Sequence, residues 1–278
     1  MTTYKDIRGT HIKTVTTDPP APVNGQMWYN STTQVMKGFT SNDAGSWASG
    51  TAINTARFYI GGSGTVTAGL AWGGQTAPGS KVGNSEIWNG TSWTEVNDLN
   101  TGRRSFGGTG TSTAAITAGG ATTENVAVTE TWNGSSWTEV NDLNTAKTNF
   151  WTSRGSTTVM LVFGQPTTES YNGSSWTELN DLNLARGNGA GVGTVTSSLC
   201  FSGYTAQTSP NYPTEVEEWD GTSWTERTNF SSARSAGGSF GTAEACFLMG
   251  GSPPSGGALS TVEEWTAPAT STVTFTAS

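Results

Sequence analysis

Histidine occurs once in this 278-residue chain, at His11, and cysteine only twice, at Cys200 and Cys246. A lone imidazole near the amino end excludes a His-based zinc site and a Ser–His–Asp triad, which need it beside further ligands or a nucleophile. The two cysteines both precede the Gly-containing end of the same strand in neighbouring repeats and read as small buried hydrophobes, not as a disulfide. Charge is scarce: 12% of residues are charged, the net charge is −8, and there is no cluster of Lys and Arg. A nucleic-acid groove needs cations that neutralise phosphates, so no nucleic-acid partner is expected. No run of apolar residues is long enough for a membrane span, and no charged-then-apolar leader is visible, so neither membrane nor secretory pathway is expected. No Asp-x-Asp-x-Asp loop points to calcium. No metal or cofactor is expected. No stretch has the spacing of a long amphipathic helix.

What the chain has in quantity is glycine (37 residues) and aromatics: 12 Trp, 10 Phe and 6 Tyr. Five times a tryptophan is followed by an apolar residue six places on and a basic residue ten places on. The frames are Trp47–Ile53–Arg57, Trp93–Leu99–Arg103, Trp137–Leu143–Lys147, Trp176–Leu182–Arg186 and Trp224–Phe230–Arg234. Successive anchors lie 46, 44, 39 and 48 residues apart. A sustained period of that size means a repeat architecture, and the abundance of aromatic core anchors argues against disorder.

Within one unit, 103–146, the pattern is that of short antiparallel strands. A Gly-rich strand (Phe106 to Gly110) is followed by Thr113–Ala118, which stops at Gly119–Gly120. A third strand, Val126–Trp132, leads through Asn133-Gly134 into a fourth that begins at Trp137. Asn-Gly is a hairpin signal of the type I′ turn, with φ > 0 at both central positions. It recurs at Asn89-Gly90 and Asn172-Gly173, with Asp220-Gly221 in the same place. Four short strands per unit is the description of a propeller blade.

The Gly doublets (Gly73–Gly74, Gly119–Gly120, Gly250–Gly251), the Glu-x-aromatic third strands (from Glu86, Glu130, Glu169, Glu217 and Glu263) and the Trp opening each fourth strand resemble kelch repeats over residues 45–266. The third repeat departs, with Gly164-Gln165 for the doublet and a short loop. The resemblance implies an all-β, five-bladed propeller of four-stranded antiparallel blades. Trp47, Trp93, Trp137, Trp176 and Trp224 would then pack between blades. Counting strands, the last repeat lacks a fourth one and residues 46–56 have no blade before them; their pairing would close the ring. The rival is that Thr270–Thr276 pairs there instead, with the N-terminal strand starting a sixth sheet.

Outside the repeat lie residues 1–44, an arm with a Pro-rich spacer (Asp18 to Pro22) and a β-hairpin around Asn30–Thr33, and residues 268–278, a C-terminal strand or tail. The block GQMWYNSTTQVMKGF is similar to openings of tail-fibre and appendage proteins of bacterial viruses, and kelch-like arrays behind such a leader look like those of marine phages. This likeness implies a virion protein anchored through residues 1–44, with Trp28, Tyr29 and Phe39 in the anchor. Other virion proteins would be its partners, in a homo-oligomer on the particle, with a host surface glycan or receptor as the further expected partner.

Two sets of residues are candidates for binding. The loop between second and third strands differs most among repeats, and Tyr204, Gln207, Asn211 and Tyr212 there offer stacking and amide hydrogen bonds suited to sugars; the plainer reading is that the loops vary because nothing constrains them. Arg57, Arg103, Lys147, Arg186 and Arg234 would ring the axis on the same face as an anion site. The structural alternative is that they pair with Glu86, Glu130, Glu169, Glu217 and Glu263, which recur with the same period. The Asn-Gly-Ser-Ser-Trp turns also resemble Asp-box turns of sialidase propellers, but no carboxylate pair stands apart from the repeat, so no enzymatic activity is expected.

Overall fold

The computed structural model describes residues 13–20, 26–38, 50–152, 155–165, 167–205 and 211–268. It is all-β, with no helix among these residues, and it divides into two compact units, 1–50 and 51–278.

In the first unit, β1 (Lys13–Val15) pairs in parallel with β2 (Met27–Asn30), which forms an antiparallel hairpin with β3 (Val35–Gly38). Asn30 organises the turn: its side-chain oxygen accepts the backbone N–H groups of Thr32 and Thr33. Asp18 ties the spacer to the hairpin by accepting from Trp28 Nε1 (3.0 Å), Asn30 Nδ2 (2.8 Å) and Lys37 Nζ (2.6 Å). These three donors, Lys37 first, pull its pKa down to about 2. Trp28 is buried; Phe39 lies outside the described residues.

The second unit is a run of five antiparallel sheets, each built from strands consecutive in sequence. The first holds β4 (Gly61–Thr65), β5 (Ala68–Trp72), β6 (Ser85–Trp88) and β7 (Trp93–Val96), and the second β8 (Gly107–Gly110), β9 (Ala115–Ala118), β10 (Thr129–Trp132) and β11 (Trp137–Val140). The third has β12 (Trp151–Thr152), β13 (Met160–Phe163), β14 (Thr168–Tyr171) and β15 (Trp176–Glu178), and the fourth β16 (Ala190–Thr194), β17 (Ser197–Phe201), β18 (Val216–Trp219) and β19 (Trp224–Arg227). The fifth has only three described strands, β20 (Gly238–Gly241), β21 (Ala245–Met249) and β22 (Val262–Thr266). This meander of small sheets is compatible with a β-propeller-like fold.

The first strands of all five sheets border one cavity of about 340 Å³, lined by backbone-rich segments such as Gly61–Gly62, Gly107–Gly108 and Gly189–Gly191. Small residues are needed there: a Cβ on Gly107 would sit 2.2 Å from Thr152 and 2.7 Å from Phe150. The hydrophobic core lies between sheets. One cluster joins Ile116 and Ala118 of the second sheet to Met160, Val162 and Trp176 of the third. The apolar residue at the sixth place of each frame is part of this filling, with Leu99, Leu143 and Leu182 buried.

Two local expectations change. The second and third strands of the unit 103–146 are shorter than the sequence pattern suggests, because Thr111–Ala114 close a turn (Thr111 N–H to Ala114 O, 2.8 Å) and Val126 N–H bonds back to Gly120 O (2.9 Å). The Asn-Gly turns are not type I′. Asn89, Asn133 and Asn172 have negative φ, and only their glycines are left-handed, at φ 94–97°. The asparagine side chain decides this: each oxygen accepts the N–H groups two and three residues on, which holds a four-residue loop between two aromatic residues. Asp220 does the same with Thr222 and Ser223, and those bonds lower its pKa.

Candidate functional site

Antiparallel order places the second-to-third-strand loops at the same end of each sheet as the links that enter the first strands. The pairing Arg104↔Ala121 joins such a link to such a loop, as do Phe58↔Gln75, Gly187↔Tyr204 and Ser235↔Ser252. The opposite end carries the uniform Asn-Gly and Asp-Gly turns.

At the loop end each basic residue of the repeat meets its glutamate. Arg57–Glu86 measures 2.7 Å, Lys147–Glu169 3.0 Å, Arg186–Glu217 2.8 Å and Arg234–Glu263 2.5 Å, and Arg103 bonds Glu130 likewise. All five cationic side chains are buried, and so are the carboxylates except Glu263, whose side chain is 22% exposed. The carboxylates do more than pair. The second oxygen of Glu130 accepts Asn100 N–H (2.8 Å) and Asn100 Nδ2 (2.8 Å). Glu86 holds Asn54 in the same way, Glu169 holds Asn144, Glu217 holds Asn183 and Glu263 holds Ser231. The ion pairs of the second to fifth sheets therefore clamp the link arriving from the preceding sheet, and Arg57–Glu86 holds the segment that enters the first.

The electrostatics follow from burial. Desolvation lowers the pKa of Arg103 and Lys147, with Glu130 and Glu169 opposing it. For Glu263 the upward push of burial is outweighed by N–H bonds from Ser231 and Ser232 and by Arg234, so its pKa falls. None of these five cations is free to hold an external anion.

The tryptophans of the repeat join neighbouring sheets. Trp137 Nε1 donates to Ser85 Oγ of the first sheet (2.9 Å), Trp176 to Thr129 Oγ1 of the second (3.1 Å) and Trp224 to Thr168 Oγ1 of the third (3.0 Å). Each also packs at a tilt against the aromatic of its own third strand, as Trp137 does against Trp132 (5.5 Å) and Trp176 against Tyr171 (5.1 Å). Trp93 donates to Thr51 O (3.2 Å); Trp47 lies outside the described residues. Of the segment 46–56, residues 50–56 form no strand: they lead into the first sheet, where Asn54 meets Glu86. Thr270–Thr276 is also outside the described residues.

Two further ties were not read from the sequence. The Gly doublets, and Gly164-Gln165 and Ser202-Gly203 in their place, are two successive residues of positive φ, and in the first four sheets the second donates its N–H to the carbonyl of the next basic residue. The bonds are Gly74 to Arg103 (2.8 Å), Gly120 to Lys147 (2.8 Å), Gln165 to Arg186 (3.2 Å) and Gly203 to Arg234 (2.9 Å). The residues two places after each basic one, Tyr59, Ser105, Asn149, Asn188 and Ala236, are all left-handed, with φ between 48° and 57°. Their N–H and C=O groups form a relay: Ser105 to Tyr59, Asn149 to Ser105, Asn188 to Asn149 and Ala236 to Asn188. Four non-glycine residue types in one backbone state gave no shared letter to find.

Of the loop candidates, Tyr204 and Tyr212 lie together, ring centres 6.5 Å apart, and the Tyr204 hydroxyl accepts Asn188 Nδ2 (3.1 Å). Asn211 O accepts Thr205 N–H, and Gln207 lies outside the described residues. No group of His, Cys, Asp and Glu able to hold a metal occurs among the described residues, and no helix there is long and apolar enough to cross a membrane. No family model matches the chain, and no curated protein was found to be related to it.

Proposed function

We propose that this chain is a bacteriophage virion protein, a tail or neck appendage, fibre or capsid-surface protein, anchored through residues 1–44 and displaying a propeller for adhesion to a host surface or glycan. The observation that carries the reading is the contrast between the two ends of the sheets. One end repeats the same four-residue turn; the other carries loops that differ from sheet to sheet on a clamped scaffold, the usual place for recognition. The reading is non-enzymatic, since every repeat glutamate is engaged by a cation and backbone N–H groups and none is left as an acid or base.

In this reading the propeller has five blades, and residues 46–56 complete the fifth. A groove of about 370 Å³ between the fourth and fifth sheets, lined by Phe201, Val216, Cys246, Leu248 and Trp265, supports it. Trp137 fills the corresponding place between the first two sheets, against Trp72, Ser85 and Trp132. By sequence equivalence Phe201, Val216 and Trp265 stand for those three, so the groove is the place that a repeat tryptophan takes between two sheets. Removing residues 1–44 should leave the melting temperature of the sheets unchanged, and removing 1–50 should lower it.

The functional test is a pair of pull-downs against purified virions and host cells, with the full chain and with a form lacking residues 1–44. Loss of virion binding with cell binding retained is the expected result. If neither form touches cells, adhesion is refuted and the protein is decoration or a cap.

A further inference from the structure

Beside the cavity that the first strands border stands a guanidinium with no counter-ion. Among the described arginines, Arg57, Arg103, Arg186, Arg227 and Arg234 are each in an ion pair, whereas Arg104 has no carboxylate partner. Its carbon Cζ lies 5.4 Å from the centre of the Tyr59 ring, and its Nε is buried with no hydrogen-bond partner. The equivalent positions in the other sheets are Phe58, Thr148, Gly187 and Ser235, so this charge is no part of the repeat. A buried, unsatisfied donor on a cation costs stability and needs a reason.

The surroundings define what could satisfy it. Tyr59 belongs to the relay of left-handed residues, and the next residue along the chain in each sheet, Ile60, Phe106, Phe150, Gly189 or Gly237, lines the cavity. The relay therefore forms the cavity's rim. The N–H groups of Ser105, Asn149, Asn188 and Ala236 are spent within it, so recognition at the rim falls to side chains. Phe58 and Tyr59 are 45% and 56% exposed and pack edge to face at 5.0 Å, an apolar surface beside the cation. Asn149 and Asn188 add amides, the latter already bonded to Tyr204.

We propose that this rim binds one carboxylated sugar, with its carboxylate on Arg104 and its ring against Phe58 and Tyr59. A guanidinium stacked on an aromatic ring keeps its in-plane N–H fork free, and that fork matches a carboxylate with two parallel bonds. A flat aromatic surface suits the C–H face of a sugar, and amides suit its hydroxyls. Arg104 is the one arginine without an ion pair among the described residues, and on a chain of net charge −8 a lone guanidinium fits one acid group, not a polyanion, which the overall charge repels. This rests on the adhesion reading and names its ligand class and its place: the rim, not the ring of repeat cations.

The test uses the full chain and ligand-observed NMR or calorimetry, with glucuronate, galacturonate, glucose and glucose 6-phosphate as probes. The expected result is saturable binding of a uronate, at least about tenfold weaker binding of glucose, and a comparable loss in Arg104→Gln with no fall in melting temperature. Arg104→Lys should recover part of the affinity, since a point charge replaces the fork. Equal binding of glucose, an unaffected Arg104→Gln, or preference for the phosphate each overturns the proposal. Host-cell pull-down of Arg104→Gln separates the two readings. Uronate binding without cell binding sinks adhesion and leaves the site; cell binding that survives in a protein unable to bind any uronate sinks the site and leaves adhesion.

Discussion

The clamp of Arg103 and Glu130 can be taken apart in a way that tells an ion pair from a scaffold joint. Arg103→Met leaves a buried carboxylate without its cation, and breaking such a pair from one side costs about 3–5 kcal/mol. For a chain of this size about 4 kcal/mol corresponds to a fall of roughly 10 °C in melting temperature. Replacing both partners of a buried pair by apolar residues is often neutral or stabilising. Here it should not be. Glu130 also accepts the N–H groups of Asn100 and Thr101 and the Asn100 side chain, and Arg103 donates to Gly119 O (2.9 Å) and Thr101 O (3.0 Å). In Arg103→Met/Glu130→Leu the two backbone N–H groups lose their acceptor, at about 1–3 kcal/mol each, so the double variant should be no more stable than Arg103→Met. Urea unfolding followed by tryptophan fluorescence of both single variants and the double variant closes the cycle. A double variant as stable as the parent chain would refute the claim that the carboxylate anchors the link.

Three further outcomes follow from the geometry. Gly119→Ala should destabilise by about 2 kcal/mol or more, because φ there is +61° and the new Cβ would sit 2.8 Å from both Lys147 O and Phe150; Gly256→Ala, at φ +79° with nothing within 4 Å, should cost only about 1 kcal/mol, as thermal unfolding of the two variants will tell. In the arm, Asp18 has its pKa depressed from 3.8 to about 2, so its contribution to the hairpin is present above 3.8 and lost as pH falls through about 2. An NMR titration of the Trp28 indole N–H, which donates to Asp18, should follow that lower value, and a midpoint near 3.8 would refute the network. Cys200 and Cys246 should resist thiol reagents at neutral pH in the folded chain, since burial pushes their pKa values up to about 12 and about 11; rapid labelling without unfolding would contradict it.

The sequence by itself determined the period, the all-β character and the contents of one unit, because these are written in local spacing. A tryptophan, a leucine six places on and a basic residue ten places on place the same three groups in successive sheets, where they fill the gaps and build the clamps. It also showed which loops vary. It did not reveal the form of the Asn-Gly turns, where a side-chain oxygen binding two N–H groups outweighs the preference of the dipeptide for type I′. The rim relay was invisible because Tyr59, Ser105, Asn149, Asn188 and Ala236 share a backbone state and no chemistry; neighbouring sheets impose that state through hydrogen bonds between chain segments some 40 residues apart. The standing of Arg104 was hidden for a related reason. Arg103 and Arg104 are adjacent and identical as letters, yet alternation along the backbone sends one into a buried pair with Glu130 and the other over Tyr59. Only the tertiary structure separates the cation that is neutralised from the one that is not, because that depends on which residue stands opposite.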